Sequence, residues 1–121
     1  MSHNYLECFT ILAVDDSNFA LDALKSITTP YKKQFEFAKD GFEAFNKFQH
    51  LSKQGQLYHL ILIDLMMPNC DGIQATQLIR KYEQEHSCPS TFICGLSALE
   101  NPGIIFFNFL ANLLKKQRKN V

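Results

Sequence analysis

The chain has 121 residues, 46% apolar and 20% charged, with a formal net charge of zero. That is the length of one domain with a single core, and too apolar for a disordered chain. No unbroken apolar run approaches the roughly 18 residues a membrane helix needs, and the first residues lack the basic and apolar regions of a secretory signal. All 12 acids fall in residues 1–100, while residues 101–121 carry four bases and no acid. A basic tail is not the basic face of a nucleic-acid-binding domain. The four cysteines, Cys8, Cys70, Cys88 and Cys94, form no CxxC pair and no Cys-His metal spacing. They read as reduced thiols of an intracellular, cytoplasmic protein.

The first element is a buried strand over residues 9–14, ended by Asp15-Asp16. Residues 16–18 can cap a helix whose Phe19, Ala23 and Ile27 recur at i, i+4, i+8, with Ala20 and Leu24 beside them. Pro30 stops it. Residues 34–38 alternate as a second strand. Asp40 and Glu43 form a capping box for a helix with Ala44, Phe45, Phe48 and Leu51 on one face. A polar loop over 52–58 contains Gly55. Residues 60–63 form the most apolar strand and run straight into Asp64. A turn over 68–72 follows, and Asp71 with Gln74 repeats the capping pattern. The next helix carries Ala75, Leu78, Ile79 and Tyr82. A fourth strand over 91–96 ends at Ser97. Strands alternating with helices in this way imply right-handed crossovers and a parallel sheet with helices on both faces.

Polar groups stand at the carboxyl ends of three strands: Asp15-Asp16, Asp64 and Ser97. Sites of open parallel sheets form at that end. Each acid alone could cap a helix or close a turn. Together they bring three carboxylates to one mouth, where their repulsion is relieved by a hard divalent cation. Mg²⁺, with its oxygen ligands and retained waters, fits best.

The segments 11–16, 63–72 and 95–98, with residues 38–44, resemble the signatures of response-regulator receiver domains. The resemblance covers about residues 8–100 of a single domain spanning 1–121. It implies a flavodoxin-like, doubly wound parallel sheet in the order 2-1-3-4. Asp64 would be the phospho-acceptor. Asp15, Asp16 and Asp64, with the backbone carbonyl of Met66, would hold Mg²⁺, and Ser97 would be the switch hydroxyl. The style of residues 64–72 is similar to receivers attached to hybrid histidine kinases. The partner implied is a histidine kinase or a histidine phosphotransfer protein, and the chain is expected to be a phosphorylated switch rather than a turnover enzyme.

The C-terminus departs from the family. Receivers carry a fifth strand ending in Lys-Pro and then a fifth helix. Here no Lys-Pro exists. Lys119 lies at about the family lysine's spacing from Ser97, but residues 115–120 are too polar for a strand. The fifth strand and helix are therefore expected to be missing, leaving strand one without a neighbour on one side. Residues 104–114 are apolar nearly all round. They read as a fourth helix packed on the sheet, or as a surface for self-association. The alternative function is a pseudo-receiver that keeps the fold as an interaction module without switching. An aspartyl phosphatase is disfavoured because Met66 stands where its second acid belongs. A dinucleotide-binding domain is disfavoured because no G-x-G-x-x-G follows strand one.

Overall fold

The structure is a computed structural model and describes residues 10–64, Met67 and 72–96. Four strands, β1 (Ile11–Val14), β2 (Phe35–Ala38), β3 (Leu60–Asp64) and β4 (Phe92–Leu96), alternate with helices α1 (Asn18–Ile27), α2 (Gly41–Lys53) and α3 (Gly72–Glu85). The sheet is parallel, in the expected order β2-β1-β3-β4. The chain moves one way from β1 to β2 and the other way from β2 to β3 and β4. Right-handed crossovers therefore put α1 on one face and α2 and α3 on the other.

The strands alternate between two cores. Leu12, Val14, Ile61 and Ile63 face α2 and α3, whose Ala44, Phe48, Ala75, Ile79 and Tyr82 complete that core. Ile11, Phe35, Leu60 and Leu62 form the core on the α1 side, with Phe37 and Cys94 packed against it. Both central strands are buried on both faces, as parallel sheets require.

Several expectations are corrected. The α1 face assigned from periodicity is not the buried one. Leu21 and Leu24 are buried, whereas Phe19 is 86% and Ile27 42% exposed. The helix is apolar over two adjacent stripes, and periodicity alone cannot rank them. A 3-10 turn over Thr29–Gln34, begun by Thr29-Pro30, was not foreseen. Helix α2 runs to Lys53, so the loop is shorter than expected; Gly55 there sits at φ +73°, where a side chain is strained. Strand one is central, between β2 and β3, so it is not left open. Among the described residues the open edges are β2 and β4. The fifth family strand would lie beside β4, the strand last added, and not beside β1. The turn at 68–71 and the whole reading of residues 97–121, including the missing fifth strand and helix, lie outside the described residues.

Candidate functional site

The acidic mouth follows from strand register. Val14 pairs with Ile63 across the two central strands. Asp15 and Asp64 are the next residues on each, so they emerge together at the same end of strands about 4.8 Å apart. Asp15 is held by backbone on both sides. Its N–H donates to Ala38 O at 3.1 Å. Its Oδ1 accepts from Ser17 N–H at 2.9 Å. Ser17 then caps α1, its Oγ accepting from Ala20 N–H at 3.2 Å. The helix cap expected around residues 16–18 is thus Ser17, and the two aspartates are released from capping.

One carboxylate oxygen from each of Asp15, Asp16 and Asp64 lies within 4.8 Å of the others. Asp15 and Asp64 are half-buried and Asp16 is exposed. Burial pushes the Asp15 carboxyl above its usual range. The Ser17 N–H pulls it back, and the neighbouring Asp64 and Asp16 charges raise it again. A half-buried carboxylate crowded by two others is a donor set that suits a hard cation with oxygen ligands. Among the ion pairs between described residues, none involves Asp15 or Asp16. Met66, Ser97 and Lys119 lie outside the described residues, so the structure brings together three of the six residues named from sequence.

The mouth has an apolar rim. Phe19, Phe42 and Ile73 are each the second residue of α1, α2 and α3, and each is more than half exposed. Helix N-termini in this fold stand at the carboxyl end of the sheet, so the three surround the acids. Sequence reasoning placed Phe19 in the core and passed over Phe42 and Ile73. The signal that could have found them is their shared position, one residue past the start of three successive helices.

Glu83 was also missed. It is buried at 4% exposure, yet fully engaged. Its Oε2 accepts from Thr91 N–H at 2.7 Å and its Oε1 from Arg80 Nη1 at 2.8 Å. Arg80 also donates to Thr91 O at 2.9 Å. The Thr91 hydroxyl donates to Tyr58 O. This clamp ties the end of α3 to the start of β4, at the end of the sheet remote from the acids. Tyr58, in turn, donates to Glu36 Oε2 at 2.8 Å, and burial with that carboxylate raises its phenol well above the usual range.

Residues 11–105 match the response regulator receiver domain. The chain is 31% identical over 97 residues to the peroxide stress-activated histidine kinase mak1 of Schizosaccharomyces pombe. That alignment covers 80% of this chain and 6% of the relative. It is 35% identical over 72 residues to the osmosensing histidine protein kinase SLN1 of Saccharomyces cerevisiae, covering 59% of this chain and 6% of that one. The chain thus spans a small fraction of these relatives. Among solved structures it is similar to the receiver domain of the histidine kinase CKI1 from Arabidopsis thaliana, complexed with Mg²⁺ and BeF₃⁻, at 25% identity and TM-score 0.61. That match covers 80% of this chain and 70% of the other. It is also similar to a co-crystal of the Saccharomyces cerevisiae histidine phosphotransfer protein Ypd1 and the receiver domain of Ssk1, at 29% identity and TM-score 0.58. Here 74% of this chain and 66% of the other are covered.

Proposed function

We propose that this chain, which belongs to the response regulator receiver domain family, works in phosphorelay signalling by accepting a phosphoryl group on Asp64. The observation that carries the assignment to Asp64 is the convergence of Asp15, Asp16 and Asp64 at the ends of the two central strands. Asp64 is the last residue of the most buried strand, so its carboxylate has a rigid base. In the transfer, an Asp64 oxygen forms a bond to phosphorus as the bond from phosphorus to a donor imidazole nitrogen breaks, and the electron pair leaves with the imidazole.

Asp15, Asp16 and Asp64 would hold Mg²⁺, with the Met66 carbonyl as a further ligand. The ion would neutralise the charge gathered between acceptor and phosphoryl group. Asp15 is the fixed member of that set, oriented by Ser17 N–H. Asp16, exposed and next in chain, closes it. Ser97 would supply the hydroxyl that meets the phosphoryl group, and Lys119 is the one C-terminal cation at the family spacing.

The donor is a histidine kinase or a histidine phosphotransfer protein. The apolar rim of Phe19, Phe42 and Ile73 supports a protein donor, because a small phosphodonor needs no apolar contact. The chain acts as a switch, each phosphoryl transfer changing its own state, and not as a turnover enzyme. No described helix is long and apolar enough to cross a membrane. Cys88 and Cys94 are free thiols, in keeping with a location inside the cell.

The test is incubation with a small phosphodonor and Mg²⁺, read by intact mass. Wild type should gain one phosphoryl group, and Asp64→Asn should gain none while keeping its circular dichroism. A gain retained in Asp64→Asn would move the site elsewhere. No gain in wild type would leave a receiver fold used only for protein contact.

A further inference from the structure

We propose that residues 104–114 form a helix that docks on the α1 side of the sheet, in the groove between the exposed flank of α1 and strands β3 and β4. The argument begins with the apolar arc of α1. At 100° per residue, Phe19, Ala23, Ile27, Ala20, Leu24 and Leu21 follow one another over about 200° of the helix surface. A helix packed on a single sheet needs an apolar stripe of about 100°. Leu21 and Leu24 occupy the buried half of that arc. Phe19, Ala23 and Ile27 occupy the other half and are exposed. The helix therefore carries a second apolar flank beyond the one its own sheet contact uses.

The direction of that flank is set by Lys25. Its Nζ lies 5.3 Å from the centre of the Phe37 ring on edge strand β2. Lys25 falls on the polar side of α1, past Leu21, so that side looks towards β2. The flank with Ala23 and Ile27 lies across the buried stripe and looks the other way, over β3 and β4. On this face the two strands present Leu60, Leu62 and Cys94. Two helices, α2 and α3, serve the opposite face. On this face α1 is the only α-helix among the described residues, and a helix about 10 Å wide spans about two strands at 4.8 Å spacing. The face has room for one more.

The occupant follows from the chain beyond β4. Strand β4 ends at Leu96, and residues 104–114 begin after seven intervening residues. Seven residues reach up to about 24 Å, enough to turn over the sheet end and onto either face. Eleven helical residues measure about 16 Å, close to the length of α1. Residues 104–114 are apolar on all sides apart from Asn108 and Asn112. A helix without a polar stripe is one covered on several sides. The groove offers such a setting, with sheet beneath and the α1 flank alongside. On the α3 side a helix would meet only one apolar wall besides the sheet, since α3 shows a single strongly exposed apolar residue, Ile73. The docked helix would brace α1, which starts directly after Asp15-Asp16-Ser17.

Hydrogen exchange of the full chain, read by mass spectrometry, tests this. Leu110→Asp should speed exchange of amides 18–27 at least about tenfold and leave 72–85 unchanged. In the reciprocal variant, Ile27→Asp should speed exchange of 104–114; Ile27 is partly exposed, so that variant keeps its fold and reads the contact even if Leu110→Asp unfolds the chain. Loss of protection in 72–85 instead of 18–27 would put the segment on the α3 side and overturn the proposal. So would exchange of 104–114 at the free-peptide rate in wild type. A protection that rises with protein concentration, with a dimer in light scattering, would show a second copy as the occupant and overturn it equally.

Discussion

Asp15 does two jobs with opposed electrostatic demands. It must stay close to Asp64 and Asp16, and it is half-buried, so its ionised form is disfavoured. Its folded pKa lies above the unfolded one, so the folded state binds the proton more tightly. Stability is therefore fullest below the unfolded value and declines as pH rises through the folded value. Asp15→Asn keeps the acceptor for Ser17 N–H and removes the charge. It should melt higher than wild type at pH 7 without metal, and the gap should close towards pH 4. Mg²⁺ should raise the melting temperature of wild type and leave this variant nearly unmoved. Thermal melts with and without Mg²⁺ at the two pH values check both halves. His59 has the reverse sign. Its Nδ1 accepts from Thr10 N–H at 3.0 Å, and burial lowers its pKa. The neutral ring is the folded form, so this stabilisation is fully present above about pH 6.5 and is lost as pH falls from there through the folded value. Denaturant midpoints of wild type and His59→Gln between pH 5 and 8 should converge at the acid end.

The elements are joined by local devices that differ in how visible they are. The α2 capping box is visible: Glu43 N–H donates to Asp40 Oδ1 at 2.8 Å, as the spacing implies. The return bond departs from the pattern, because Glu43 Oε2 accepts from Lys39 N–H and so secures the residue before the cap. The clamp of Glu83 on Thr91 is invisible in sequence. Nothing in the 83–91 spacing marks a carboxylate as buried; its partner is a backbone N–H brought there by the turn after α3. Glu83→Ala would leave the buried Thr91 N–H without that acceptor, at a cost of about 1–3 kcal/mol. Chemical denaturation should show that loss, with Mg²⁺ binding retained, since the clamp is at the far end of the sheet from the acids.

At the scale of the whole molecule, one end of the sheet does the chemistry. Parallel strands send every carboxyl end, and every following helix N-terminus, to the same side. The acids and the apolar rim are therefore neighbours by topology although far apart in sequence. If the rim receives a protein donor, Phe42→Ser with Ile73→Ser should slow transfer from a phosphorylated histidine protein by an order of magnitude or more. Both are exposed, so labelling by a small phosphodonor should stay at the wild-type rate. Parallel loss with both donors would mean the substitutions disturb the mouth itself.

Strand positions, the helix and strand alternation and the acidic residues at strand ends were determined by the sequence alone. A fully apolar run such as residues 60–63 has one low-energy place, the middle of a parallel sheet, and an acid at its end has one, the rim. The meeting of Asp15 with Asp64 was legible for the same reason. What the sequence left open was decided by packing. Which α1 stripe turns inward depends on where β2 lies, because Leu21–Leu24 and Phe19–Ala23–Ile27 are equally apolar. That β1 is central depends on β3 crossing to its far side. The burial of Glu83 depends on Thr91 arriving beside it. Each of these is a contact between segments distant in the chain, and local periodicity holds no information about which distant segment will supply the other wall.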